Sequence, residues 1–200
     1  MTGFLTWLAG SGVVQGVIIG GTLAFLTTLL ALDAVARRHS RTADGWRSFP
    51  EAGRPGTGVV VRAALQKALP VVNVLEEAAY WTAQADAARN RLTGAHAYRM
   101  HFPAGGLPPT GAFWSLTATD VVGYMVPGAE GRSSVDGHSG LVTNPDGSVD
   151  ILLQAQAPDG PRQNWLPTPR GRFTLMLRAY LPGPAITDGS YSPPPVIQVA

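Results

Sequence analysis

The first 32 residues of the chain are predominantly apolar, and the first charged side chain is that of Asp33. The apolar run from Phe4 to Leu32 covers about 29 residues. As a helix this run rises about 43 Å, which exceeds the hydrocarbon core of a bilayer, about 30 Å thick. A cleaved signal peptide has a basic start and a much shorter apolar run, and this sequence has neither feature. We therefore predict an uncleaved transmembrane anchor with its flanks over residues 1–36.

Small residues recur at every fourth position of this predicted helix, which places them on one face. The predicted helix-packing face consists of Gly12, Gln15, Gly16, Gly20, Ala24 and Thr28. Small residues let a second backbone approach closely, and the Gln15 amide is costly against lipid. Glycine and threonine are also common in membrane helices generally. We expect the lipid bilayer and other transmembrane helices as partners, a hetero-complex being preferred and a homo-oligomer being the alternative.

The next segment, residues 37–58, is polar and rich in glycine and proline, which predicts a juxtamembrane linker. Its aromatic residues Trp46 and Phe49 fit either the lipid headgroup level or packing under the domain. From Val59 to Leu75 apolar residues recur at helical spacing, which predicts a helix interrupted at Pro70. The segment from Glu76 to Arg91 fits a helix or a strand, since it combines alanines with β-forming aromatics.

Beyond Gly94 the pattern is that of short strands separated by turns. The predicted strands are residues 95–102, 112–119, 121–126, 141–143, 149–156, 173–180 and 196–199. In one of them Phe173, Leu175, Leu177 and Ala179 alternate with polar residues, which predicts one buried face. The fold class is therefore mainly β: an antiparallel, jelly-roll-like β-sandwich over residues 59–200, with a short helical segment before it.

Composition narrows the possible functions. The chain has no cysteine, and its net charge is only +2 without a basic run, so we expect no thiolate site and no nucleic-acid partner. Its four histidines lack metal-ligand spacing, and no phosphate loop, dinucleotide fingerprint or nucleophile elbow is present. We predict no cofactor, no metal and no catalytic residue, which favours a protein that is not an enzyme.

Three segments resemble a known family. They are Phe113-Trp114-Ser115-Leu116-Thr117 followed by Asp120, Asn144-Pro145-Asp146-Gly147-Ser148, and Asn164-Trp165-Leu166-Pro167-Thr168-Pro169 followed by Arg178-Ala179-Tyr180 and Asp188-Gly189. In order and spacing they resemble the bacterial domain of unknown function 1214, often the C-terminal half of paired 1254/1214 proteins. The resemblance implies a β-sandwich in which residues 78–83 form a strand, and it implies a periplasmic domain. It implies no established reaction.

Polar and aromatic residues within these segments are the candidate contact residues for a ligand or partner. They are Trp114, Asp120, Arg132, Asn164, Trp165, Arg178 and Asp188. A structural reading makes Asn164 and Asp188 turn caps and pairs Arg178 with a carboxylate. The functional reading groups the seven in the mouth of the sandwich, where the two indoles stack on a sugar-like or aromatic ligand.

These features support two functional hypotheses. In the first, the chain is a non-catalytic accessory or structural subunit of a larger assembly in the bacterial inner membrane, contributing helix packing and a protein-binding sandwich. In the second, it is an envelope protein that binds or processes a small ligand. The sidedness is open: Arg37, Arg38, Arg41 and Arg47 after the anchor favour a cytoplasmic domain, whereas the family resemblance favours the periplasm.

Overall fold

A computed structural model of the chain describes residues 10–70, 73–125, 131–160 and 162–199. The chain divides into two compact units, one made of residues 1–39 and 56–71 and the other of residues 40–55 and 72–200. The first unit holds two helices, α1 (Gly12–Arg38) and α2 (Val59–Ala68). Residues 1–9 of the predicted anchor lie outside the described residues.

Helix α1 begins where the Ser11 side chain accepts a hydrogen bond from the backbone N–H of Val14. Its apolar side chains are exposed, and by length and composition it is the one helix within the described ranges able to cross a membrane. The hydroxyl of Thr28 donates to the carbonyl of Ala24 at 2.7 Å, and that of Thr27 to the carbonyl of Leu23 at 2.8 Å. These bonds within the helix give both hydroxyl groups a hydrogen-bond acceptor, which the hydrocarbon chains of lipid do not provide.

Helix α2 confirms the helical spacing but ends at Ala68, before Pro70, whose ring prevents the preceding residues from continuing the helix. Its Ala64 and Leu65 are buried, and Lys67 forms an ion pair with Asp33 of α1. Helix α2 contacts α1 and belongs with it to the first unit.

The second unit is a β-sandwich of two sheets. Its ten strands are β1 (Arg41–Ala43), β2 (Trp46–Ser48), β3 (Ala78–Ala83), β4 (Ala97–Phe102), β5 (Thr110–Thr119), β6 (Ser134–Asp136), β7 (Val149–Gln154), β8 (Trp165–Pro167), β9 (Thr174–Pro182) and β10 (Val196–Val199). The larger sheet has the order β1-β2-β3-β9-β5-β6 and the smaller one β10-β4-β7-β8. All neighbours are antiparallel except β7 and β8, so the mainly β fold class is confirmed.

Alternating side chains from both sheets form one core. On β9 the predicted inner face is confirmed, since Leu175, Leu177 and Ala179 are completely buried. Met100 and Ile151 of the smaller sheet belong to the same core cluster. A one-residue slip of either strand would turn these apolar side chains to the outside, so burial fixes the register.

Three segments differ from the sequence-based predictions. Residues 41–48, predicted as linker, form the hairpin β1–β2, whose Asp44 and Gly45 both have positive φ, as a two-residue type I′ turn requires. The predicted strand over residues 121–126 is absent from its described part, where residues 121–125 form a turn. The predicted strand 141–143 is likewise irregular, although the turn at 144–147 is confirmed, with Gly147 N–H donating to the Asn144 carbonyl.

Candidate functional site

The predicted packing face of α1 is exposed along its length. Gly12, Gly16 and Gly20 each have nothing within 4 Å of where a Cβ would lie, and Gln15, Ala24 and Thr28 are exposed as well. A smooth face of this kind allows a second helix to approach closely. That another transmembrane helix packs on this face stays a prediction.

The two tryptophans predicted as stacking walls lie in the interior. Trp114 of β5 is 4% exposed and its ring centre lies 6.1 Å from that of Phe102. Trp165 of β8 is 1% exposed, and its indole N–H donates to the carbonyl of Gln154 at 2.9 Å. Both indoles therefore serve the packing of the sandwich, and neither forms the wall of an open mouth.

Arg132, Asn164 and Trp165 are brought together, and their contacts hold the backbone of the sandwich. The buried Asn164 amide accepts from the Val142 N–H at 2.8 Å and donates to the carbonyls of Val142, at 2.8 Å, and Asp150, at 2.9 Å. The Arg132 guanidinium donates to the carbonyl of Trp165 at 3.2 Å and to those of two preceding residues. These polar groups are directed at backbone atoms, so the structural reading fits them.

The remaining three candidates make their contacts elsewhere. The Asp120 carboxylate accepts from the backbone N–H groups of residues 122–124 at 2.8–2.9 Å, which caps the turn after β5. Asp188 accepts from the Ser190 N–H, and hydrogen bonds from Ser190 lower the pKa of its carboxyl group. Arg178 donates to the Thr117 hydroxyl on the outer face of the larger sheet, not to a carboxylate. The seven residues therefore do not form one ligand mouth.

A different site, which the sequence reasoning missed, is a cavity of about 110 Å³ within the sandwich unit. It lies beside the β1–β2 hairpin, the start of β3 and the residues after the single helical turn α3 (Pro184–Thr187). Its lining includes the half-buried rings of Phe49, Tyr80 and Tyr191. Trp46, which is 1% exposed, and Trp81, whose ring packs edge-on against Tyr191 at 5.8 Å, border it from the core. Of the two placements considered for Trp46, the headgroup level or packing under the domain, the structure therefore has the second.

Tyr191 and Arg41 are polar residues of the cavity lining. The Tyr191 hydroxyl is buried and has no hydrogen-bond partner among the described residues, and burial strongly raises its pKa, so that it stays protonated. Arg41 is exposed, and its guanidinium lies against Gly189. No Asp or Glu belongs to the described cavity lining.

Other walls of the cavity are held by their own hydrogen bonds. The Tyr80 hydroxyl donates to the Asn73 amide oxygen at 2.8 Å, and the Asn73 amide nitrogen donates to Glu77 at 2.9 Å. The turn at Gly53 packs on the backbone of Asn73, where a Cβ would collide with the carbonyl. These contacts fix the mouth-side residues, so the cavity is a formed feature and not a gap between loose loops.

One family model matches the chain, over residues 77–184, and its description is "Protein of unknown function (DUF1214)". This match covers more than half of the chain. The chain is a member of that family.

Two solved structures are similar to this chain. The VPA0106 protein of Vibrio parahaemolyticus is 26% identical with a TM-score of 0.61, and the alignment covers 72% of this chain and 36% of the Vibrio chain. A protein from Burkholderia cenocepacia is 18% identical with a TM-score of 0.42, over 92% of this chain and 51% of that one. The DUF1214 chain thus spans about a third to a half of the length of these relatives. No curated protein matches it.

Proposed function

We propose that this DUF1214 protein is a membrane-anchored binding protein whose β-sandwich holds a small ligand in the cavity beside the β1–β2 hairpin. The observation that supports this is the cavity itself, of about 110 Å³, whose described lining includes the half-buried rings of Phe49, Tyr80 and Tyr191. Small-molecule sites in proteins are concave and lined mainly by apolar and aromatic side chains.

The size and lining of the cavity indicate a compact molecule with an apolar ring. An apolar protein cavity of about 150 Å³ is known to hold benzene, so about 110 Å³ suits a single ring or smaller. The half-buried side chains of Phe49, Leu75 and Tyr80 provide apolar contact. We therefore keep the aromatic ligand that the sequence suggested, but we assign its contacts to different residues.

The test uses the full chain in detergent micelles and benzyl alcohol as a neutral ring with one hydroxyl. We expect saturable binding, measured as a change in tryptophan fluorescence together with a rise in melting temperature. Ala52→Leu, at a buried lining position, should fill the cavity and weaken binding at least tenfold. Ala87→Leu, exposed and outside the lining, is the matched control. Absence of saturable binding, or equal binding by both variants, would refute the proposal.

A second candidate function is that of an accessory subunit of a larger assembly in the bacterial inner membrane. It is supported by the exposed row of small residues on α1. We propose that α1 contacts a separate membrane protein through Gly12, Gly16 and Gly20.

Native purification from membranes tests this candidate. We expect a co-purifying membrane protein that is lost from Gly16→Leu and retained by Gly21→Leu, an equally exposed glycine next to the proposed face. Migration of the unaltered chain as a lone monomer would argue against the assembly. A reporter fused after Ala200 decides between the cytoplasmic side expected from the arginines and the periplasmic side expected from the family.

A further inference from the structure

The turn that follows β5 presents large hydrophobic side chains to the solvent. Val121, Val122, Tyr124 and Met125 are 62%, 76%, 73% and 59% exposed. Single exposed hydrophobic residues are normal on a protein surface, whereas a contiguous patch marks a contact with a protein or a membrane. These side chains lie on nearly consecutive residues, so we treat residues 121–125 as one such patch and call it the hydrophobic turn.

The backbone of the hydrophobic turn forms its hydrogen bonds locally. One oxygen of the Asp120 carboxylate accepts from the N–H groups of residues 122, 123 and 124 at 2.8–2.9 Å. The Asp120 N–H donates to the Tyr124 carbonyl at 2.9 Å, and Met125 forms an isolated bridge with Thr119. Hydrocarbon contains no water to replace missing hydrogen bonds, so a segment that enters it has to satisfy its polar backbone groups internally. The tip of the hydrophobic turn meets this requirement for its successive N–H groups.

Two arginines lie beside the hydrophobic turn. A groove next to Val121 is lined by Arg91 and Arg172, both of them exposed, and no Asp or Glu belongs to its described lining. Anionic lipid headgroups attract cations that lie close to a membrane surface. Hydrophobic side chains next to exposed cations are the combination that binds at the boundary of headgroups and acyl chains. The charge beside the turn therefore fits an anionic bilayer as the partner.

We propose that the hydrophobic turn inserts into the headgroup boundary of an anionic membrane, with Arg91 and Arg172 on lipid phosphates. This contact of the sandwich with the bilayer rests on α1 as the membrane anchor and is independent of the ligand cavity. By length and composition α1 is able to cross a membrane, and only His39 and Ser40 separate its end from β1. The sandwich is thereby tethered to the bilayer, so even weak insertion of the turn is favoured by the high local concentration of lipid.

The test places a fluorescent reporter in the turn of the full chain. Because the chain has no cysteine, Val122→Cys gives a single labelling site, and at this exposed position the label should not disturb the fold. The labelled chain is reconstituted into vesicles of phosphatidylcholine and phosphatidylglycerol whose acyl chains carry bromine, which quenches a fluorophore that it contacts. We expect strong quenching of this label. Ile197→Cys, at an exposed hydrophobic position on β10, is the matched control, and its quenching should be lower by about fivefold or more.

Lipid composition and variants of the groove test the arginine contacts. Without phosphatidylglycerol the quenching of the Val122→Cys label should fall by about two- to threefold. Arg91→Gln combined with Arg172→Gln should lower the quenching in the anionic vesicles to that same level. Arg170→Gln is the matched control, because Arg170 is exposed and close in sequence but does not line the groove. It should leave the quenching unchanged.

The outcomes decide between lipid and protein as the partner of the turn. Quenching at the turn that depends on lipid charge and on both arginines supports the inference. Equal quenching of the two labels, or none at Val122→Cys, refutes the insertion. An emission shift of the Val122→Cys label that grows with protein concentration in detergent shows that the turn contacts a second copy of the chain, and it refutes the inference as well. Quenching that is the same in both lipid mixtures, or that survives the double arginine variant, refutes the headgroup contacts of Arg91 and Arg172.

Discussion

Replacing Asn164 by alanine tests whether the polar residues of the DUF1214 segments hold the fold together or serve a ligand. The amide of Asn164 makes three hydrogen bonds, one from the Val142 N–H and two to the carbonyls of Val142 and Asp150. All three partners are backbone groups at a residue that is 8% exposed. Alanine leaves each of them without its partner.

The expected loss follows from those three bonds. At about 1 kcal/mol for each hydrogen bond to a neutral group, Asn164→Ala should lower the free energy of unfolding by about 3 kcal/mol. In a protein of 150–250 residues this corresponds to a fall in melting temperature of about 6–12 °C. Asn164→Asp should cost at least as much, because it directs a carboxylate oxygen at two carbonyl groups.

The assay is urea and thermal unfolding of the sandwich, followed by tryptophan fluorescence and circular dichroism of the full chain in detergent. Gln163→Ala, at the exposed neighbouring position, is the control and should change the unfolding free energy by less than about 0.5 kcal/mol. A loss below about 1 kcal/mol in Asn164→Ala would contradict the structural role. Binding of benzyl alcohol should be unchanged, since Asn164 does not line the cavity.

Three further predictions concern single side chains. Tyr191→Phe should maintain or raise the unfolding free energy, by up to about 1 kcal/mol, because it removes an unpaired buried hydroxyl; a fall in melting temperature would show that the hydroxyl has a partner in the ligand-free protein. Gly94→Ala should cost about 2 kcal/mol or more in urea unfolding, since a Cβ there collides with the Pro169 carbonyl, whereas Gly160→Ala, in open space, should be neutral. For Asp150, burial raises the pKa but hydrogen bonds from His101 and Asn144 and the charge of Arg99 outweigh it, so its pKa lies below the usual 3.8. A carboxyl group whose pKa is lower in the folded than in the unfolded state stabilises the fold above the unfolded-state pKa, and this stability is lost as the pH falls through the folded-state pKa. Asp150→Asn should therefore lower the free energy of unfolding at pH 7 but not in acid. A loss of stability that is independent of pH would contradict this.

The sequence was informative where a pattern is local. Strand β9 follows from the alternation at residues 173–180, because one buried face imposes a period of two. The turn at 144–147 follows from the conformational limits of Pro145 and Gly147. Both features depend on neighbouring residues only, and both were predicted.

The hairpin β1–β2 carried a readable signal that the linker prediction overlooked. Asp44-Gly45 is a preferred pair for a type I′ turn, and it separates Arg41–Ala43 from Trp46–Ser48. Each strand has only three residues, and charged and glycine-rich flanks gave the region the composition of a linker. Its pairing with β3, where Trp46 is opposite Ala83, is a long-range contact that no local pattern reveals.

The candidate ligand site could not be predicted for a related reason. From the sequence we predict ligand contacts for polar residues in the family-like segments. In the structure Asn164, Arg132 and Asp120 instead form hydrogen bonds with backbone groups. The cavity instead combines Arg41 with Tyr191, about 150 positions away, and neither has a motif around it. Only the pairing of the strands brings such distant residues together.

The distribution of the cavity residues along the chain determines what family membership implies for the ligand. The DUF1214 match ends at residue 184 and begins at residue 77, so it includes Trp81 but excludes Arg41, Trp46 and Tyr191. The matched part therefore supplies strands β3 to β9, whereas the flanking segments supply β1, β2 and β10 together with most of the described residues that line the cavity. Because these flanks lie outside the family pattern, members of the family can share the sandwich and still bind different ligands. We expect any ligand binding in the proposed cavity to follow the β1–β2 hairpin and residues 189–192 when they are exchanged between relatives.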